Sequence, residues 1–544
     1  MLPTSARPTH RHRAVYALLM QPRSTLFGDR PRIVLHPMFL AAAYVLSLAL
    51  PNEIRAEEMV RPLAVAIAAA LALVLLGWVV FRNRWDGALA ATILILLAVS
   101  LVPLLRAWSF LSGTLGATAG MAVLGTVLVA ILGGVAIMVR RAQRLGRPAP
   151  RPAPGLLNIF STALIGVMLI PGAAAVPAAM TRSDQPIIPE EAADPQTALP
   201  DIVMIMLDGY PRADVLERRF GIENDPFLDA LRERGLDVGE ASLSNYFFTS
   251  TTLASMFQMR YLDEVDSLHP LIGTDGAHRG ALRDAAIRSP AIALLRAAGY
   301  EILTAPSGWL HTSLAPAADR VLEHGELTDL ERTLMERTWL LDLVDLVWPY
   351  AATESQRSRI VHAFDDLEAF GQGQPDGPRF FFAHIPAPHL PVVLDERGST
   401  RHLPSRAFEA TSPDAMGLTR SEYVAAWAEQ LTYVNQRVLD VVDALKAAAE
   451  PPVIVVFSDH GYGYEAHDDD LQSRFGNLMA AYTPGADGLL ADAPTPVNLL
   501  PLLFNAYVGT DLPLSPDRYF TGPADDRPLL ITEVDDPERV PADS

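Results

Sequence analysis

Two kinds of apolar run divide the 544-residue chain. Up to about residue 180 the runs are long: 34–50, 60–81, 87–105, 117–139 and 156–179. Each is close to the 17–25 residues that cross ~30 Å of hydrocarbon as a helix. Beyond residue 200 the apolar runs are short, and amphipathic stretches separate them. Residues 181–200 lie between the two regimes, lack periodicity and are rich in Pro and acidic residues, which reads as a linker. The pattern predicts an N-terminal segment 1–33, a transmembrane region 34–180 of about five helices, the linker 181–200, and a domain over 201–544.

In that domain Asp201–Leu207, Phe380–Ile385 and Val453–Phe457 are continuous apolar runs. They are too short for free helices and suit strands buried on both faces of a parallel sheet. Glu301–Thr304 reads as a fourth strand, and Asn224–Arg234, Pro290–Ala298, Gln356–Phe370 and Ser421–Ala449 read as helices. Strands alternating with helices predict an α/β fold with a central, mostly parallel sheet. Such a sheet binds ligands beyond the carboxyl ends of its strands.

Charge sharpens the division. Residues 1–180 hold 16 Arg against 5 acidic residues, a net +11, which leaves −31 for the remainder of a chain at −20. Arginines gather before the first run, after the second (Arg82, Arg84) and after the fourth (Arg140, Arg141, Arg144, Arg147, Arg151). By the positive-inside rule the N-terminus is cytoplasmic and the domain lies outside the cytoplasmic membrane. A re-entrant 87–105 would reverse that outcome. The acidic domain argues against nucleic acid as a partner, because phosphate backbones need clustered cations. The chain has no Cys, which excludes a thiolate nucleophile, a cysteine metal site and any disulfide.

The residues after the predicted strands carry the chemistry. Asp208 follows the first, although an Asp there also serves as a turn former. Ser458-Asp459-His460-Gly461 follows VIVVF, and an adjacent carboxylate and imidazole can ligate one divalent ion. The run from Asn245 to Met256 includes Thr249, Ser250, Thr251 and Thr252 just ahead of a helical stretch. A hydroxyl there is often only a cap, but free amides and the positive dipole end also stabilise an alkoxide and a phosphoryl oxygen. His384 lies inside FFFAHI, as suited to a hydrogen-bonded core position as to ligation. His389, between prolines, is better placed for substrate, and His467 precedes an Asp run. His269 has no assigned role.

These residues resemble the alkaline phosphatase and sulfatase superfamily over about 200–510. The likeness is to membrane-tethered phosphotransferases such as lipoteichoic acid synthase and the lipid A phosphoethanolamine transferases. The resemblance implies a metal site from Asp208, Thr249, Asp459 and His460, with Thr249, opening T-x-x-T, as nucleophile. It implies His389 in Pro388-His389-Leu390-Pro391 as a catalytic and substrate-binding group, and Thr252, His467 and Asn245 as substrate-binding. Arg474-Phe475-Gly476 and Tyr482-Thr483-Pro484-Gly485 resemble the superfamily's late strand and turn. The sequence departs from those transferases in using Asp208 where they use Glu and in lacking their cysteines. It departs from sulfatases in having Thr251 and Leu253 where C/S-x-P-x-R has Pro and Arg, and one lysine, Lys446.

The implied fold is a five-helix transmembrane region followed by a sulfatase-like α/β sandwich. The implied activity is metal-dependent phosphotransfer or phosphodiester hydrolysis through a phospho-threonine. The expected cofactor is one divalent ion, manganese ahead of zinc or magnesium. The expected partners are a membrane lipid or lipid-linked phosphate donor and a cell-envelope acceptor. The alternatives are an atypical sulfuric-ester hydrolase and a catalytically degenerate protein that binds an envelope polymer.

Overall fold

The computed structural model describes residues 33–100, 126, 153–179, 199–276, 278–338, 340–373, 377–403, 407, 413, 416–462, 470–523 and 527–540. The chain divides into two compact units. One comprises Met1–Pro51 and Met59–Pro177, and the other comprises Asn52–Glu58 and Ala178–Ser544.

The first unit is helical, with α1 (His36–Ala49), α2 (Ala56–Phe81), α3 (Arg84–Ala98) and α4 (Ala153–Ala179). Asn158 of α4 accepts from the Leu35 and His36 amides at 3.0 and 2.9 Å, which satisfies donors that the first turn of α1 leaves open. A Cβ on Gly77 would fall 2.7 Å from Gly87 Cα, so paired glycines let α2 and α3 approach closely. Among the described residues α2 is the one helix long and apolar enough to cross a membrane. It leaves Val60, Val65, Leu71, Leu76, Trp78 and Val79 exposed, as a lipid-facing helix does.

The five expected spans are therefore not all present as such. The first run forms the 14 residues of α1, about 21 Å of helix, which spans all but the first two and the last residue of that run. The third forms the 15 residues of α3. The run 117–139 lies outside the described residues apart from Thr126, as does the linker apart from its last two residues.

In the second unit the chain order is β1 (Ile202–Leu207), α5 (Ala213–Phe220), α6 (Asp225–Glu233), β2 (Asp237–Val238), α7 (Thr249–Gln258), α8 (Arg279–Ile287), α9 (Pro290–Ala297), β3 (Glu301–Ala305) and β4 (Arg320–Val321). Then come α10 (Asp329–Glu336), α11 (Leu340–Val347), α12 (Ala351–Phe370), β5 (Arg379–Ile385), α13 (Arg420–Lys446), β6 (Val453–Phe457), α14 (Leu471–Phe475), β7 (Met479–Tyr482) and α15 (Pro496–Leu503). A small hairpin of β8 (Tyr519–Thr521) and β9 (Thr532–Val534) ends the unit.

The seven sheet strands run in the order β2-β7-β6-β1-β5-β3-β4. The central β6, β1, β5, β3 and β4 are parallel, and β7 and β2 close one edge antiparallel. The unbroken apolar strands follow from cover on both faces. Val203, Ile205 and Leu207 of β1 pack with Phe364 of α12 and Val434 of α13. Ile202, Met204 and Met206 pack on the other side with Met256 of α7 and Leu499 of α15. A full burial of one such side chain contributes about 1.5–3 kcal/mol. Asp201 accepts from the Arg379 amide at 2.7 Å and from its guanidinium, which sets the register of β1 against β5. That register fixes the ends from which the site is built.

Candidate metal centre

Asp208 leaves the end of β1 with its N–H donating to Ile385 O at 3.0 Å and its carbonyl receiving the His389 N–H at 3.1 Å. These two bonds join the end of β1 to the loop after β5. Gly209 then turns with φ 65°, a conformation that favours glycine. A Cβ there would stand in ordinary contact with both rings, 3.4 Å from His460 Cε1 and 3.5 Å from His389 Cδ2, so the turn and not space is what calls for glycine. The next amide, Tyr210 N–H, donates to Ser458 Oγ at 2.8 Å, and Ser458 Oγ donates to His460 O at 2.7 Å. The Ser458-Asp459-His460 segment is thus held against β1. Gly461 is needed for another reason: a Cβ would lie 2.3 Å from Ser473 O.

Two carboxylates, those of Asp208 and Asp459, approach the His460 ring in this frame. Asp208 Oδ2 accepts from His384 Nε2 at 2.9 Å, while Oδ1 is buried without a hydrogen bond. Asp459 Oδ1 accepts from Gly209 N–H at 3.1 Å, while Oδ2 is buried without one. His460 Nε2 lies 3.7 Å from Asp208 Oδ1 and 3.4 Å from Asp459 Oδ2, and His389 Nε2 lies 3.9 Å from Asp208 Oδ1. The Nδ1 atoms of both rings are engaged elsewhere, His389 with Leu390 O at 2.6 Å and His460 with Gly461 O at 2.7 Å. With Nδ1 engaged by a carbonyl, each ring directs its Nε2 toward the carboxylate oxygens.

Such a convergence of lone pairs is stabilised by a cation. Two ligands about 2.1 Å from one tetrahedral ion stand about 3.4 Å apart, close to the 3.4–3.9 Å separations present. The ligand atoms of Asp208, His389 and His460 all lie within 4.8 Å of one another. The residues fit a divalent ion with mixed nitrogen and oxygen donors, the preference range of zinc and manganese. Burial pushes the Asp208 carboxyl up, but the positive charge of His389, His384 and His460 when protonated, with the His384 hydrogen bond, outweighs it and holds the group well below its ordinary range. Asp208 is therefore ionised.

The hydroxyl run opens α7. Thr249 is its first residue, partly exposed, and its hydroxyl makes no hydrogen bond among the described residues. Thr251 Oγ1 bonds back to Phe248 O at 2.6 Å, and Ser250 Oγ is buried without a partner. Thr252, expected on the substrate, is instead fully buried and donates to Asp459 O at 3.0 Å. Asn245, also expected there, is consumed inside: its Oδ1 accepts from Val497 N–H at 2.9 Å and its Nδ2 donates to Arg518 O at 3.1 Å. Both residues hold the frame because β6 and the 496–518 segment pack against the start of α7. His467 lies outside the described residues.

Sequence reasoning missed Trp309, which lies beyond β3 with its ring 5.6 Å from that of His389 and 6.5 Å from that of His384. The strand-end rule applied to Glu301–Thr304 would have found it. Phe247 lies 6.1 Å from the His460 ring, with the Arg474 guanidinium 4.1 Å above it.

Residues 200–483 match the family model described as Sulfatase. No curated protein matches the sequence. Solved structures match the chain at low similarity. The C-terminal periplasmic domain of EcEptC from Escherichia coli is 12% identical, with 60% of this chain and 90% of that chain covered at a TM-score of 0.38. The soluble domain of lipooligosaccharide phosphoethanolamine transferase A from Neisseria meningitidis is 15% identical, with 54% and 78% covered at 0.35. A putative sulfatase from Bacteroides thetaiotaomicron is 15% identical, with 58% and 72% covered at 0.38. At these scores none of the three bears on function.

Proposed function

The chain belongs to the sulfatase family, within the alkaline phosphatase and sulfatase superfamily, and on that premise we propose a membrane-anchored, metal-dependent phosphotransferase or phosphodiester hydrolase. It acts outside the cytoplasmic membrane on lipid-linked or cell-envelope phosphate head groups. The observation that carries this reading is the pair of buried, unbonded oxygens Asp208 Oδ1 and Asp459 Oδ2, converging with His460 Nε2 at the strand ends. Asp208, Asp459, His460 and Thr249 hold the ion in this reading, with manganese or zinc suiting the donor set. When bound, the ion lowers the pKa of the threonine hydroxyl and offsets phosphoryl charge.

The chain's own groups perform the transfer. Thr249 Oγ, its proton released to solvent as the hydroxyl ionises, attacks phosphorus in line, the bond to the leaving oxygen breaks, and protonated His389 supplies that oxygen's proton. His389 suits this role because its side chain is 20% exposed against 8% for His460. The acceptor hydroxyl, of water or an envelope glycerol or sugar, then gives its proton back to His389 and releases the phosphoryl group from Thr249. The absence of Cys and the Thr at the nucleophile position favour phosphate over sulfate esters.

The orientation in this reading rests on charge: Arg82 and Arg84 follow α2, and by the positive-inside rule such arginines mark a cytoplasmic end. Intact mass spectrometry of the full chain, incubated with membrane lipid and manganese, tests the reaction. An adduct of the transferred group on Thr249, lost in Thr249→Ala together with turnover, is expected. Turnover that survives Thr249→Ala refutes it.

A further inference from the structure

His384 is a polar residue in an apolar row. Side chains alternate across a strand, so His384 shares a face of β5 with Phe380 and Phe382. Those two pack in one cluster with Met256 of α7 and Leu499 of α15. The imidazole continues their row at 2% exposure, where an apolar side chain would extend the cluster.

It is also costly as placed. Nε2 donates to Asp208 Oδ2 at 2.9 Å, while Nδ1 is buried with no hydrogen bond among the described residues. A buried nitrogen without a partner lowers stability. The ring's one polar tie thus runs to a carboxylate of the candidate metal centre and not to the sheet.

That tie has a chemical consequence. An ionised carboxylate can hold a cation through one oxygen or through both. An oxygen that accepts from a ring N–H gives up part of its donor capacity, which leaves the other as the stronger ligand atom. In Asp208 the other is Oδ1, buried without a hydrogen bond and 3.7 Å from His460 Nε2. Asp459 is restricted in the same way, with the Gly209 N–H on Oδ1 at 3.1 Å and Oδ2 left over. Each carboxylate therefore presents one oxygen. With His460 and Thr249 the ligand set of the functional reading comes to four, which suits a tetrahedral ion such as zinc. Manganese suits octahedral, oxygen-rich sites.

Of the two restraints, one is a backbone amide and the other a side chain that can be replaced. We propose that His384 is a positioning residue that sets the metal preference of the centre: by engaging Asp208 Oδ2 it confines Asp208 to a single ligand oxygen, and so favours a four-coordinate ion over a six-coordinate one. This rests on the ligand set of the functional reading and adds the group that selects among ions.

Chelator competition on the full chain measures the zinc and manganese dissociation constants of the wild type, His384→Leu and His384→Gln. Zinc binds more tightly than manganese at most nitrogen and oxygen sites, so the change in their ratio carries the test. In His384→Leu zinc affinity is expected to fall roughly 10–100-fold, the scale of a lost outer-shell partner, and manganese affinity severalfold less. His384→Gln, whose amide restores a donor, is expected to recover most of the ratio. Cobalt(II) reports the geometry directly, with intense visible bands when four-coordinate and weak ones when six-coordinate. Intense bands are expected in the wild type and weaker ones in His384→Leu. Equal losses for the two ions, or none, overturn the proposal, as do weak bands in the wild type, a measurement that needs no variant to fold. Those results leave metal binding and the functional reading intact. A wild-type chain that binds neither ion overturns both.

Discussion

Thr252→Val removes one hydroxyl and keeps the branched shape that packs in α7. In the structure that hydroxyl is fully buried and is the donor to Asp459 O at 3.0 Å, with Tyr246 O at the 3.5 Å limit. The Asp459 carbonyl receives no other hydrogen bond among the described residues. Leaving a buried carbonyl without a donor costs about 1–3 kcal/mol. The loss falls on the residue whose side chain carries Oδ2 into the centre, so part of it is expected as weaker metal binding. If about 1.4 kcal/mol of it reaches the metal, the dissociation constant rises roughly tenfold.

The measurement is chelator competition for manganese and zinc on the full chain, followed by kinetics at saturating metal. The expected result is weaker metal binding, a nearly unchanged KM for the phosphodiester, and recovery in Thr252→Ser, which restores the donor. A raised KM with metal affinity unchanged would place the hydroxyl on the substrate and refute the structural role argued here.

Gly209→Ala puts an alanine in the left-handed region at φ 65°, and relieving that strain shifts the amide that donates to Asp459 Oδ1, so metal content by elemental analysis is expected to fall. The backbone term alone costs about 1–2 kcal/mol; full metal content in a folded variant contradicts the geometry. His389→Ala is expected to keep the metal while turnover falls by roughly 10²–10⁴, and parallel loss of the ion would instead assign His389 to the ligand set. For Glu323, burial first and then the Asp329 charge push the carboxyl up to about 7 against the pull of Arg359, from an ordinary 4.5. The folded chain keeps a proton that the unfolded chain releases, so stability falls as pH rises from 4.5 to about 7 and the penalty is complete above that. Glu323→Gln is therefore expected to raise denaturation resistance above about pH 7 by on the order of 1–2 kcal/mol. That gain fades below the unfolded value, and identical denaturant midpoints at alkaline pH refute it.

What the sequence made legible was whatever a local pattern determines. The strands β1, β5 and β6 are apolar at every position because both sheet faces are covered, so their ends, and with them Asp208, Asp459 and His460, could be located from the chain alone. The two-residue β2 and β4 offer no periodicity to detect, and their existence depends on the strands beside them. The membrane runs are not decided by pattern alone: the run 34–50 holds the 14-residue α1, and one described helix, α2, is long and apolar enough to cross a membrane.

The site divides along the same line. Spacing places Thr249 and Thr252 on one face of a helix, but it cannot say what that face meets. The pairing of β1 with both β5 and β6 decides that. Register sets Met206 beside His384 on one side and beside Phe457 on the other. It therefore delivers His384 to Asp208 Oδ2 from 176 positions away and brings Asp459 O over Thr252 from 207. The His384 tie leaves Asp208 with Oδ1 unbonded, the Gly209 N–H on Asp459 Oδ1 leaves its Oδ2 unbonded, and neither oxygen could be inferred from its own motif. The motifs name the donors, while the sheet register determines which of their atoms remain for a metal.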